Sequence, residues 1–513
     1  MNLSEWFLTA EERGNPSSKL PAWCEGNRVE ALVHGATYFD RLVTEVEAAG
    51  EGDYLFFTDW RGDPDQKMRE QGPTIKELLC RAAERGVTVK GLIWRSHVDW
   101  MQYSQEENRN LSEDIADAGG EVLLDQRVRM GGSHHQKLVV IRHPAEPERD
   151  VAFAGGIDLC HSRRDDASHR GDPQAVQMAE QYGDRPPWHD VQLQVRGPVV
   201  GALDATFRER WEDPASVVML NPFAWLRDKW KGTDMTAGPL PELPPDPPPC
   251  GAHAVQVLRT YADGHFTYDF APNGERSIAR AYYKAVPRAR RLIYLEDQYL
   301  WSKQVADLFA AALRDNPGLH LVAVVPRYPD EDGRLALPPN RVGRWQALET
   351  CLGAAPDRVH VFDVENHEGT PVYVHAKVCV IDDVWACSGS DNFNRRSWTH
   401  DSEISCAVMD ADGAFARDLR LQLMREHLDR AEDGSEDGQL ADPDLAVDEI
   451  VRAADALEAW HSSGRKGPRP QGRLRPHKSE RLGLLNRLWA EPAYRFAYDP
   501  DGRSIGDRLR GRM

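Results

Sequence analysis

The chain has 513 residues, 41% of them hydrophobic, with 15 Trp, which gives room for two or three domains or one large duplicated unit. A net charge of −19 excludes bulk nucleic-acid binding by long-range attraction and generic adhesion to anionic bilayers, although it leaves room for a local basic pocket. The eight Cys (24, 80, 160, 250, 351, 379, 387 and 406) lack zinc-finger or redox spacing and are expected as reduced thiols.

The N-terminus MNLSEWFLTAEERGNPSS has no basic start followed by an apolar core, and no 18-residue apolar run exists, so the expected location is cytoplasmic. A helical stretch over 35–50 leads to strand DYLFFTDW (53–60), helix 75–86, strand 87–95 and strand EVLLD (121–125). Residues 204–211 read as the helix that closes this half. Seven prolines within 239–249 form a stiff connector. The order then repeats: helix SIARAYYKAVPRA, strand RLIYLED, helix KQVADLFAAALRD, strand HLVAVVP and strand RVHVFDV. The expected divisions are 1–26, 27–220, 221–253 (linker), 254–435 and 436–513. The last has a helical face over 446–460 and a basic Pro/Gly-rich run, 464–478, expected as a solvated loop. The predicted fold class is α/β: two similar halves, each a mixed sheet flanked by helices, related by a pseudo-twofold axis with the active site between them.

One chemical pattern occurs in both halves. His135-Gln136-Lys137 precedes LVVI, and His375-Ala376-Lys377 precedes VCVI, each expected near the middle of a strand. Residues two apart share a strand face, so each His lies beside its Lys. Two such faces give two imidazoles and two ammoniums around one point. The ammoniums suit a phosphate, one imidazole can attack it, and the other can protonate the leaving oxygen. The residue seven after each His has odd parity and lies off that face. It is Asp382 in the second half and Arg142 in the first, where Glu146 or Glu148 is the expected partner. Small-residue turns follow, Gly155-Gly156 and Gly389-Ser390. His134 faces away from the site.

VYVHAKVCVIDDVWACSGSDNFNRRSWTHDSEIS (372–405) resembles the second signature of the phospholipase D superfamily, and GSHHQKLVVI and AFAGGIDLCHSRRD resemble its first. WHDVQLQVRGP (188–198), RLIYLEDQYLWS (291–302) and YDPDGR (498–503) resemble stretches of the eukaryotic-like, phosphatidylcholine-cleaving branch. The resemblance implies His135 as nucleophile and His375 as general acid, then base. It implies Lys137 and Lys377 on the non-bridging oxygens. It places Asn392 on the phosphate, with Ser390, Gly155, Gly156 and Asn394 in the substrate-binding turns. Asp158 is the first-half counterpart of Asn392. Each His needs a carboxylate behind it. Glu403 stands 28 residues after His375 and Asp165 stands 30 after His135; these offsets assign Glu403 to His135 and Asp165 to His375, with Asp190 as the rival of Asp165.

The resemblance therefore implies a phosphodiesterase that cleaves a glycerophospholipid headgroup through a phosphohistidine, acting as a monomer on phospholipid at a membrane surface. No cofactor, metal or nucleic acid is expected, and calcium dependence is not implied. The alternatives are a nuclease, a cardiolipin synthase-like phosphatidyltransferase, and a weakly active effector in which Arg142 disables the first motif.

Overall fold

The computed structural model describes residues 2–96, 105–217, 235–263, 268–330, 337–479, 482–511 and 513. The boundary expected at 220 lies outside them. Strands β1 (Cys24–Val33), β2 (Tyr54–Asp59), β3 (Thr88–Trp94), β4 (Glu121–Asp125), β5 (Leu138–Arg142), β6 (Val151–Gly155), β7 (Trp188–His189) and β8 (Val191–Arg196) belong to the first half. The second carries β9 (His253–Tyr261), β10 (Glu275–Arg276), β11 (Leu292–Asp297), β12 (His320–Val324), β13 (Val359–Val364), β14 (Tyr373–Val374), β15 (Lys377–Ile381), β16 (Trp385–Gly389) and β17 (Glu403–Met409), and β18 (Leu474–Pro476) follows.

The first half runs β1-β8-β6-β5-β2-β3-β4 across its sheet and the second runs β9-β17-β16-β15-β11-β12-β13. These orders correspond strand for strand. In each, three strands are parallel (β2, β3, β4 and β11, β12, β13) and the rest are antiparallel. The expected two sheets are joined into one. β1 pairs antiparallel with β9, Cys24 opposite Val255 and Asn27 opposite His253, so a single 16-stranded sheet crosses the molecule. One apolar core draws on both halves, including Val29, Leu193, Val257, Val378 and Leu423.

Local chemistry sets the flanking helices. Thr74 and Glu77 cap one another at the start of helix Ile75–Glu84, which buries Ile75, Leu78, Leu79 and Ala82 on one face. Helix Pro443–Ser462 buries Ala446, Val447, Ile450, Ala454 and Leu457, the face expected from the spacing. Beyond it, the basic run is not all solvated loop: Leu474–Pro476 pairs antiparallel with the edge strand β13 and buries Leu474. The Pro-rich connector lies along the first half, where Pro241, Pro245 and Gly238 accept hydrogen bonds from Arg208, Arg142 and Trp211.

Arg142 ends β5 with its guanidinium fully buried. It donates to Asp150 (2.6 Å), Asp204 (2.9 Å) and the carbonyl of Pro245 (2.6 Å), while Glu146 pairs with Arg149 instead. Asp382, at the corresponding place, accepts from the backbone N–H groups of Arg290, Arg291 and Leu292. Both residues tie the end of the motif strand to its surroundings, through opposite charges.

Candidate active site

The His-Lys pairs lie at the entrances of β5 and β15 rather than at mid-strand. Lys137 immediately precedes β5, and His375 sits between β14 and β15. Contacts between the halves hold these entrances. His135 N–H donates to Ser402 O (2.9 Å), and His375 N–H donates to His189 O (2.7 Å). β7 and β14 pair in parallel, placing His189 opposite Val374, and His134 bridges Ser402. Ser402 precedes Glu403 and His189 precedes Asp190, so each contact delivers a carboxylate to the opposite half.

His135 Nδ1–H donates to Glu403 Oε2 (2.9 Å), which also accepts from Ser390 Oγ (2.5 Å). His375 Nδ1–H donates to Asp190 Oδ2 (2.7 Å), whose Oδ1 accepts from Val191 N–H. Both carboxylates are fully buried. With its proton at Nδ1, each ring presents the Nε2 lone pair to the space between the halves.

The pairing of His375 with Asp165 is therefore corrected. Asp165 accepts from the backbone N–H groups of Asp166, Gly171 and Trp188 and shapes its own loop. The near-equal offsets fail because the first half carries a longer excursion between β6 and β8. In the register, Gly155 faces Gln192 and Gly389 faces Ser405, which makes Asp190 the counterpart of Glu403 although it lies 55 residues beyond its own motif His.

The small-residue turns also pack against the carboxylates and their neighbours. A Cβ on Gly156 would sit 2.2 Å from Asp190 Oδ1, and one on Gly155 would sit 2.5 Å from Gln192 Oε1. Ser390 Oγ is committed to Glu403 and to Ile404 N–H (3.0 Å). Asn394 caps the short helix Arg395–Thr399 by accepting from Ser397 N–H. Asn392 is buried, and its Oδ1 has no hydrogen-bond partner among the described residues.

Each ammonium is held by the chain around it. Lys137 Nζ lies 3.2 Å from Asp158 Oδ1 and donates to His135 O. Lys377 Nζ donates to Gln298 Oε1 (3.2 Å) and to His375 O. Asp59 and Asp297 end equivalent strands and accept from Leu159 and Phe393 N–H. Burial and neighbouring Asp158 push the Asp59 carboxyl well up. Burial also penalises Asp158, but Lys137, Arg163, His135 and His375 outweigh it and hold that carboxyl down. Burial lifts Asp297 to about 6 and draws Lys377 down to about 8, the latter against Asp190 and Asp297. Burial, followed by Lys377, Arg163 and Lys137, holds His375 well below the usual imidazole range. His375 is thus neutral beside these cations, although Asp158 pairs with Lys137. A phosphodiester bound there would offset their repulsion and let the ring take a proton.

Several members belong to no motif in the sequence. Arg163 stacks 3.9 Å from the Trp188 ring, and that ring lies 4.8 Å from the ring of His375. Gln298 also accompanies Tyr373 along a cavity of about 270 Å³, where Arg327 is already paired with Asp363. Of the other histidines, His161 pairs with Asp63 and Asp65, and His367 with Asp429. His134 is buried, with neither ring nitrogen bonded among the described residues.

The family described as Phospholipase D matches residues 63–225, and that described as Cardiolipin synthase, PLD-like domain matches residues 345–425. Phospholipase D alpha 1 of Cynara cardunculus is 24% identical over 521 residues, covering 75% of this chain and 63% of that protein. Phospholipase D alpha 1 of Ricinus communis is 24% identical, covering 69% and 58%. The chain thus spans about three fifths of the length of these curated relatives. The phosphatidylserine synthase of Haemophilus influenzae Rd KW20 superposes with a TM-score of 0.54 at 13% identity, over 89% of this chain and 99% of that one, a likeness of fold alone.

Proposed function

The chain belongs to the phospholipase D superfamily, and from that premise we propose that it cleaves the headgroup phosphodiester of a glycerophospholipid such as phosphatidylcholine. The observation that carries this reading is the reciprocal pair, His135 on Glu403 and His375 on Asp190, each followed by a buried Lys. Lys137 and Lys377 hold the non-bridging oxygens and stabilise the charge that grows on them. His135 Nε2 attacks phosphorus, the bond to the headgroup oxygen breaks, and protonated His375 gives its proton to that oxygen. Neutral His375 then takes a proton from water as the water oxygen attacks phosphorus and the P–N bond breaks. Phosphatidic acid leaves and His135 is restored. An alcohol in place of water gives a new phospholipid, a course the match of residues 345–425 to the cardiolipin synthase-like family also favours.

His135 is the more accessible ring, its side chain 15% exposed against 6% for His375, which supports it as the attacking group. Choline release from phosphatidylcholine vesicles, with and without a primary alcohol, tests the reading. Release with phosphatidic acid as product is expected, diverted to phosphatidyl-alcohol when alcohol is present. Absence of release from every glycerophospholipid offered would overturn it.

A further inference from the structure

Beside Asp190, where its chain neighbour His189 sits, three histidines converge on one carboxylate. His34 Nε2 lies 2.6 Å from Glu426 Oε2, His169 Nε2 lies 2.9 Å from Glu426 Oε1, and His189 Nδ1 lies 3.3 Å from the same oxygen. The four ligand atoms all fall within 4.8 Å of one another. The histidines are buried, and only the Glu426 side chain, 10% exposed, reaches toward solvent.

Two features set this cluster apart from an ordinary hydrogen-bonded group. His34 and His169 both adopt positive φ, 69° and 51°, a region that disfavours any side chain, so the backbone is held in an uncommon form at two of the three rings. The far sides of two rings also face carboxylates. His189 Nε2 meets Glu296 Oε2 at 2.6 Å, and His169 Nδ1 faces Asp165 Oδ2 at 3.8 Å. A ring whose near nitrogen binds a cation carries its proton on the far nitrogen, where a carboxylate accepts it.

We propose that His34, His169, His189 and Glu426 form a structural zinc site, which nothing in the proposed reaction requires. Three imidazole nitrogens and one carboxylate oxygen satisfy the four-coordinate preference of Zn²⁺. Bonds of about 2.0–2.1 Å place tetrahedral ligand atoms about 3.3 Å apart, so the shorter contacts relax slightly and the longest closes by at most about 1.5 Å. The ion joins the end of β1, the 161–172 loop and β7 in the first half to helix Ala414–His427 in the second. His189 is adjacent to Asp190, and its carbonyl accepts from His375 N–H, so the site fixes the backbone that carries the His375 carboxylate.

The test uses the full chain, purified without a metal-affinity step. We expect close to one zinc per chain after gel filtration, and Co²⁺ in its place to give the visible absorption of tetrahedral cobalt. His34→Ala and Glu426→Gln should lose that band, while His367→Ala, at an exposed histidine, should keep it. A chain isolated without zinc that takes up neither Zn²⁺ nor Co²⁺ stoichiometrically would overturn the proposal and leave a network that holds protons. Retention of the cobalt band in His34→Ala would overturn it equally, and the wild-type spectrum does not depend on any variant folding.

Discussion

Replacing Asp190 by Asn separates the orientation of His375 from its chemistry. The Asp190–His375 contact is 2.7 Å between buried groups, and Val191 N–H already occupies Asp190 Oδ1. In Asp190→Asn the amide oxygen stays on Val191, so the NH₂ end points at His375 Nδ1 and forces the ring proton to Nε2. Two losses follow. The ring can no longer act as a base toward water, and the imidazolium loses its counter-charge. Opposite charges about 4 Å apart at an effective dielectric near 20 are worth about 4 kcal/mol, or about a thousandfold in rate. Turnover on short-chain phosphatidylcholine should fall by roughly that factor while the far-UV spectrum and melting temperature hold. With p-nitrophenyl phosphocholine, whose leaving group needs no acid, the first burst of nitrophenolate should survive and only turnover should fail. Asp165→Asn should cost less than about tenfold, since its carboxylate serves backbone N–H groups. If Asp165→Asn lost the thousandfold and Asp190→Asn did not, the assignment of carboxylates to histidines would be wrong.

His135→Ala and His375→Ala should each abolish turnover, and a mixture of the two should stay inactive; recovered activity on mixing would place the site between chains. Arg142→Ala leaves Asp150 buried without its cation and Asp204 with Arg208 alone, so it should destabilise the fold by about 3 kcal/mol in urea titration, with the low-temperature rate of the folded fraction little changed. A stable but inactive Arg142→Ala would make the residue catalytic. Lys377, drawn down to about 8 by burial, is charged below that pH and neutral above it, so kcat/KM should fall tenfold per pH unit on the alkaline side. Lys377→Arg should flatten that limb, and a limb that persists would belong to another group.

What the sequence made legible was local. Strands such as DYLFFTDW and RLIYLED announce themselves by composition, and the two His-Lys pairs announce a shared site by recurring. Position along a strand was less legible: both motifs are lead-ins held by Ser402 and His189 from the other half, and no local pattern encodes a partner that far away. Asp190 was obscured by the excursion that lengthens the first half before β8, which defeats any comparison of offsets. The partners of Arg142, at 150, 204 and 245, come from a loop, a helix and the connector. The cluster of His34, His169, His189 and Glu426 has no spacing to read, because four separate segments supply it.

The exchange of carboxylates between the halves also bears on divergence. A symmetric pair of identical subunits would carry every change twice, once on each side of the site. Within one chain the two sides can differ, and here they do: Asp158 stands where Asn392 stands opposite, Arg142 where Asp382 does, and only one side bears the long excursion that carries Arg163. In the proposed reaction, such handedness lets one imidazole specialise in bonding to phosphorus and the other in moving protons. It also means that neither side can be improved alone, because the carboxylate that tunes each imidazole is inherited with the opposite half.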